Sequence, residues 1–245
     1  MKNIVTSPSN DLIKKVNKLR KKKYRKEYSS FVIESKKLIE EAFLSGLEVE
    51  GVLIRSDKDP LNYSANYTFI EEYLFNKISS LVTPDGYMAI VKMKETALIT
   101  DRILVLDKIQ DPGNMGTLIR SAEAFAFDTI ISISSVDFYN EKVLRSSMGS
   151  IFRLNLHEKS YDFLIELDQY QKYIADMDGK DFRKEVYPDK LCLIIGNEGK
   201  GISKEVEDLA DKTIKIPMQG QIESLNAGVS GSILMAAMAK NIKEE

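Results

Sequence analysis

The chain has a single cysteine, Cys192, and a single histidine, His157, in 245 residues. One thiol cannot build an intrachain disulfide framework. Its place in the wholly apolar run 191–195 reads as a buried structural group in a reducing compartment. With so few soft ligands there is no CxxC and no HExxH, and no other cluster has metal-ligand spacing. Zinc hydrolysis, a redox dithiol and a Ser-His-Asp relay are therefore set aside, and no metal is expected. No segment approaches about eighteen uninterrupted apolar residues, and the N-terminus lacks an apolar signal core. A soluble, cytoplasmic protein without a membrane partner is expected. An excess of one charge is also missing: 35 basic residues stand against 37 acidic ones. Total charge thus argues neither for nor against nucleic acid. Internal repeats, heptads and low-complexity tracts are absent too.

The 43% apolar content is enough for one large core or two smaller ones. Charge is unevenly distributed. Nine of the thirteen residues 14–26 are basic and none is acidic: Lys14, Lys15, Lys18, Arg20, Lys21, Lys22, Lys23, Arg25 and Lys26. Like charges at helical spacing repel, so phosphate contact is expected of this stretch. A solvated helix face is the alternative. Ser7 and Pro8 suit the cap and first position of a helix whose apolar face is Leu12, Ile13, Val16 and Leu19. Tyr24 and Tyr28 suit either base stacking or local packing.

Short apolar runs alternate with helical patterns along the chain. Strands are expected at 31–33, 52–54, 67–70 and 88–91, with helices at 36–44 and 71–78, giving a small α/β domain over 1–92. A connection follows at 93–100. In 101–245, strands are expected at 102–106, 129–133, 152–154, 172–175, 191–195 and 213–216. Helices are expected at 116–127, 140–147, 162–167, 203–209 and 225–239. This order predicts a largely parallel sheet with helices on both faces.

Three segments carry polar groups at strand ends. The loop Gly196-Asn-Glu-Gly-Lys-Gly201 is not a Walker A loop, because Ile202 stands where the phosphate lysine belongs. It is not a dinucleotide fingerprint either, because Lys204 replaces the third glycine. A ligand loop and a plain turn both remain open; Asn197 and Glu198 can hold a ligand or brace the loop. The segment Asp107 to Arg120 ends a strand and opens a helix, where amides favour anions, and it carries Asn114 and Arg120. The segment Ile216 to Asn226 leaves its strand at Pro217, and Ser224 can cap the last helix.

Taken together, these segments resemble the three motifs of the SpoU/TrmH-type RNA ribose 2′-O-methyltransferases of the SPOUT class. Asp111-Pro-Gly-Asn-Met-Gly-Thr-Leu-Ile-Arg-Ser-Ala122 is similar to the first. Leu193-Ile-Ile-Gly-Asn-Glu-Gly-Lys-Gly-Ile202 is similar to the second, and Ile216-Pro-Met218 with Ser224-Leu-Asn226 to the third. The stretch from Arg145 to Phe152 resembles a segment between the first two. Residues 7–34 resemble the family's accessory substrate-binding domain. Two places depart from the pattern and read as subfamily variation: Glu34-Ser35 replaces Glu-Gly, and Ala227-Gly228-Val229 follows Asn226.

The resemblance implies an α/β chain. Its C-terminal part would be a trefoil-knotted methyltransferase domain with a mostly parallel sheet, and its smaller N-terminal part an L30e-like domain that grips RNA. It implies S-adenosyl-L-methionine as methyl donor and a homodimer with the active site near the subunit interface. By resemblance Asn114, Arg120, Glu198 and Asn226 are catalytic. Gly196, Asn197, Gly199, Gly201, Ile216, Met218, Ser224 and Leu225 bind the donor. Arg145 joins the nine basic residues in contacting RNA. Arg120 would orient the hydroxyl and steady the developing oxyanion, since arginine stays protonated; a substrate phosphate or a base from the second subunit would accept the proton. The 23S ribosomal RNA is the preferred substrate. Transfer RNA methylation, a non-catalytic RNA-binding homologue and a nucleotide-binding enzyme are the alternatives.

Overall fold

The structure, a computed structural model, describes residues 3–95, 99–222 and 224–239. They fall into two units, Met1–Glu95 and Thr96–Glu245. Residues 96–98 of the expected connection and Glu223 of the third motif lie outside the described residues.

The first unit holds strands β1 (Ile4–Val5), β2 (Ser30–Glu34), β3 (Val49–Arg55), β4 (Tyr67–Ile70) and β5 (Tyr87–Lys92) in the order β1-β4-β3-β5-β2. β4 pairs in parallel with β1 and β3, while β5 runs antiparallel to β2 and β3. Its helices are α1 (Asp11–Leu19), α2 (Lys22–Tyr28), α3 (Lys36–Leu44) and α4 (Glu72–Ile78). Ile13, Val16 and Leu19 of α1 pack with Leu74, Phe75 and Ile78 of α4 over Val32, Leu53, Ile70, Met88 and Ile90 of the sheet. Spacing of three and four residues puts each apolar set on one helix face.

Two expectations fail at the basic stretch. Ser7 does not cap the first helix, and Pro8 does not open it. They form a turn in which Asn10 N–H donates to the Ser7 carbonyl (3.2 Å), and Asn10 becomes the cap, accepting from Leu12 N–H at 2.9 Å. Nor is the stretch one helix, because the chain breaks between Leu19 and Lys22, where Lys21 is extended. The cause is Arg25. Its buried guanidinium donates to the carbonyls of Leu19 and Arg20, both at 2.9 Å, and so satisfies groups that the end of α1 leaves open. The two-residue strand β1 was not foreseen, being too short for a periodic signal.

The second unit has strands β6 (Arg102–Asp107), β7 (Thr129–Ile133), β8 (Asn155–Glu158), β9 (Gln171–Asp181), β10 (Leu191–Ile195) and β11 (Lys212–Lys215). Their order is β11-β9-β10-β6-β7-β8, and every pairing is parallel. Helices α5 (Pro112–Ala124), α6 (Glu141–Ser146), α7 (Phe163–Glu166), α8 (Lys204–Glu207) and α9 (Ala227–Met238) connect or follow them. Ile103, Val105, Cys192 and Ile194 point to one face, where they meet Leu164 and Val206 of α7 and α8. The alternate positions point to the other, where α5 and α9 pack together. Cys192 is fully buried as expected, and burial pushes its thiol up to about 12.

The strand expected at 152–154 is instead a single 3₁₀ turn, Ser150–Phe152, and β8 begins at Asn155. Phe152 and Leu154 are buried, so their apolar character reports core packing rather than a strand. Helix α5 starts earlier than expected, at Pro112, with Asp111 as cap. Helix α9 starts later than expected, so Asn226 rather than Ser224 is its cap.

Candidate active site

Parallel strands β6, β10 and β11 all end at one edge, where an α/β sheet receives its ligands. At this edge β10 runs into the loop 196–203. Asn197 and Gly201 exchange backbone hydrogen bonds, both 2.9 Å, which closes the loop on itself. The Asn197 side chain braces it, accepting from Gly199 and Lys200 N–H at 3.0 Å and donating to the Lys108 carbonyl at 2.8 Å. Gly196 has no alternative residue here: a Cβ would lie 2.5 Å from the Gly201 carbonyl carbon and oxygen.

Beside the loop is a cavity of about 280 Å³. Gly196, Asn197, Gly199, Gly201, Ile216, Met218, Ser224 and Leu225 all line it, so the structure gathers the whole expected donor set. Reading the sequence missed Ala175, Asp176 and Met177, which also line it. They belong to β9, whose expected span stopped at 175. Asp107, the first residue of the segment 107–120, was given no role of its own; it is the fully buried last residue of β6. It accepts from Tyr161 O–H at 3.0 Å and from Ser203 N–H at 2.8 Å, fastening the far end of the loop to the sheet.

At the rim, three of the four expected catalytic residues form a chain. Asn114, buried in the first turn of α5, donates its side-chain amide to Glu198 Oε1 at 3.0 Å and accepts from Asn226 Nδ2 at 2.8 Å. Glu198 also accepts from the backbone N–H of Gln110 (3.4 Å) and Asp111 (3.2 Å). Desolvation pushes its carboxyl up, but the bonds from Asn114 and the backbone outweigh that and hold it below the usual carboxylate range. Asp111 is held low by the Asn114 N–H, against a smaller effect of burial, with help from Lys142.

Arg120 stands apart. It is exposed on α5, about 9 Å along the helix axis from Asn114. It makes no hydrogen bond or ion pair to that chain of side chains among the described residues. Arg145 is half-buried in the last turn of α6. Among the basic residues of the first unit, Arg25 is internal, and Arg20 turns inward to Glu34 Oε1 at 2.6 Å and the Ile78 carbonyl at 2.7 Å. These two guanidinium groups hold the fold instead of presenting charge outward. Lys15 pairs with Glu50 and Lys14 with Asp11. Lys18, Lys21, Lys22, Lys23 and Lys26 are exposed. Among the described residues no group of three or more His, Cys, Asp or Glu is placed to hold a metal ion, and no helix is long and apolar enough to cross a membrane.

The family model of the SpoU rRNA methylases matches residues 101–236, and that of the MRM3-like substrate binding domain matches 10–89. The 23S rRNA (guanosine(2553)-2′-O)-methyltransferase RlmP of Bacillus subtilis is 31% identical over 240 residues, covering 94% of this chain and 97% of its own. A solved RNA 2′-O ribose methyltransferase superposes with a TM-score of 0.81 at 27% identity, over 96% of this chain and 97% of that one. An AdoMet-bound rRNA methyltransferase from Sinorhizobium meliloti shares the fold, with a TM-score of 0.83 at 24% identity over 96% and 97% of the two chains.

Proposed function

The chain belongs to the SpoU rRNA methylase family, and from that premise we propose that it methylates a ribose 2′-hydroxyl of 23S ribosomal RNA with S-adenosylmethionine as donor. The observation that carries this reading is the junction of the two parts of the site: the closed loop 196–203 both lines the cavity and supplies Glu198 to Asn114. Similarity to RlmP along nearly its whole length supports the ribosomal substrate.

The residues present fit the donor. Gly196 and Gly201 leave the backbone bare at the cavity wall, and Ile195, Ile202, Ile216, Met218 and Leu225 offer it an apolar lining. Amides and carbonyls of the loop, with Ser224 and Asn197, supply the polar partners such a molecule requires. When bound, S-adenosylmethionine supplies a methyl group already activated on a sulfonium.

The chain's own residues then have to hold and orient. Glu198, held in its ionised form by Asn114 and by the N–H groups of Gln110 and Asp111, is a poor proton acceptor near neutrality; it fixes Asn114. Asn114 uses both ends of its amide internally, so it and Asn226 set the relative position of α5 and α9 at the site. Arg120, permanently charged, aligns the ribose and steadies negative charge growing on the attacking oxygen.

Residues 1–92 are assigned to RNA binding, 93–100 to a connection and 101–245 to catalysis. A homodimer is the working assembly, and small and apolar residues exposed on the two helices support it: Val229, 46% exposed, with Ala236 and Ala237 on α9, and Thr117 and Ala124 on α5, the helix that carries Arg120. A trefoil knot is the proposed topology of the second unit. Support comes from α9, which follows the edge strand β11 yet packs on α5 and central β10. The enzyme would work in the cytoplasm, where its RNA is.

The decisive test is ribose-methylation mapping of 23S rRNA incubated with the purified chain and S-adenosylmethionine. One new 2′-O-methyl site, absent with Arg120→Ala, is expected. Retained RNA binding without methylation at any ribosomal site would replace this reading with that of a binding protein.

A further inference from the structure

Tyr24 and Tyr28 sit four residues apart on α2 and therefore on one face. Their ring centroids are 6.5 Å apart with 30° between planes, an offset stack. The two rings are not equivalent. Tyr28 packs against the core of its unit, its hydroxyl accepts from Lys18 Nζ at 3.4 Å, and Lys15 stands 5.8 Å from its centroid. Glu50 holds Lys15 in turn, and also takes Lys92 and Ser30. Tyr28 is thus a fixed backing. Tyr24 lies outside it, half-exposed, with Lys18 Nζ at 5.6 Å and Lys23 Nζ at 5.8 Å from its centroid. Local packing accounts for Tyr28 but leaves Tyr24 a flat apolar surface ringed by exposed cations.

We propose that Tyr24, backed by Tyr28, is a stacking platform for an unpaired base of the RNA, with Lys18 and Lys23 taking the phosphates on either side of it. The inference rests on the reading of the first unit as an RNA-binding domain. Exposed cation–π contacts are weak, so the lysines swing to phosphate at little cost and open the ring to a base. Stacking on an aromatic ring is the stronger interaction and tolerates any base, because each has a π face. A duplex keeps its bases inside the helix, so the platform selects RNA with an accessible loop or bulge. It adds a preference for substrate shape, separate from the cavity and Asn114.

The test uses the full chain and two labelled RNAs at one salt concentration: a hairpin with an unpaired adenosine loop containing 2-aminopurine, and the blunt duplex of the same stem. The chain has no tryptophan, so quenching of 2-aminopurine reports stacking without interference. Wild type should bind the hairpin more tightly and quench it. Tyr24→Leu should weaken hairpin binding about tenfold, abolish the quench and leave duplex binding unchanged, while Tyr24→Phe restores both. Lys18→Gln and Lys23→Gln should weaken both RNAs and each lower the salt slope by about one. Unchanged thermal melting of Tyr24→Leu establishes that its fold is intact. Hairpin binding and quenching indifferent to Tyr24→Leu, or equal losses on both RNAs, overturn the platform alone. A wild-type chain that binds neither RNA overturns the RNA-binding reading and the platform with it.

Discussion

Asn226 donates its side-chain amide to Asn114 Oδ1 across 2.8 Å, although 112 residues separate them along the chain. Its Oδ1 meanwhile caps α9 by accepting from Val229 N–H at 3.2 Å. One side chain thus joins the start of the last helix to the start of α5. Asn114 passes the connection on to Glu198 and hence to the loop beside the cavity.

The two jobs of Asn226 are separable. Asn226→Ala loses both, and the missing cap should cost about 1 kcal/mol, a fall of roughly 2–4 °C in melting temperature. Asn226→Asp keeps the acceptor but cannot donate to Asn114. It keeps the cap, loses about 1–3 kcal/mol by leaving the buried Asn114 oxygen without a donor, and should lose about tenfold or more in kcat, as the alanine variant does. Calorimetric melting beside steady-state kinetics checks this; an aspartate variant with full kcat would show that the link to Asn114 is dispensable.

Gly196→Ala should damage donor binding selectively. The added Cβ would press on the Gly201 backbone and, at 2.7 Å, on Ile202 N, groups that cannot swing aside as a flexible side chain can. The loop must open and the cavity wall with it. Titration calorimetry should show S-adenosylmethionine affinity falling by about tenfold or more, with RNA affinity unaltered. Equal donor affinity in the variant would exclude this wall from the donor site.

Glu34 gives the first unit an acid sensitivity. It is 4% exposed and accepts from the Arg20 guanidinium, the Ser79 hydroxyl and the Ser80 N–H. Burial pushes its carboxyl up, but those bonds and Arg20 hold it lower than normal. Its folded value therefore lies below the unfolded one, which is about 4.3 for a free glutamate. The associated stability is complete above that unfolded value and is lost as pH falls through the folded value. Arg20→Ala should cost about 3 kcal/mol by stranding the buried carboxylate. Urea melts of wild type and Glu34→Gln at neutral and acid pH should converge as pH falls; parallel curves would refute the assignment.

Ser35 follows Glu34 with φ 114° and ψ 143°, a region that suits glycine. Its hydroxyl caps α3 by accepting from Leu38 N–H at 3.3 Å, which offsets part of the strain. Ser35→Gly should stabilise the chain by about 1 kcal/mol, since relief of strain exceeds the few tenths lost with the cap. Ser35→Ala keeps the strain, loses the cap and should destabilise. Thermal melts in the order glycine, wild type, alanine are expected; glycine at the bottom would mean that the hydroxyl outweighs the backbone.

What could be read directly in the chain was periodic or local. The apolar run 191–195 is β10 and residues 36–44 are α3, because burial patterns repeat within a few residues. The glycines of 196–201 and the turn after β11 lie where strand-end chemistry put them. Helix starts were less legible. Ser7 and Ser224 are good caps by type, but Asn10 and Asn226 serve instead, because the cap is set by where the chain turns. The basic stretch misled in another way. Counting charges does not reveal that Arg20 meets Glu34 or that Arg25 closes the end of α1.

The sequence by itself therefore determined most of the elements of this protein and the residue types at its site, because hydrophobic period, turn chemistry and motif spacing are properties of neighbouring residues. Only the tertiary structure decided which polar groups meet. The Asn226–Asn114–Glu198 chain, the seating of loop 196–203 on Asp107 and the inward turn of two arginines join groups far apart in sequence or on different elements. A hydrogen bond depends on a few ångströms and a direction, and those are set only when the sheet and its helices have packed.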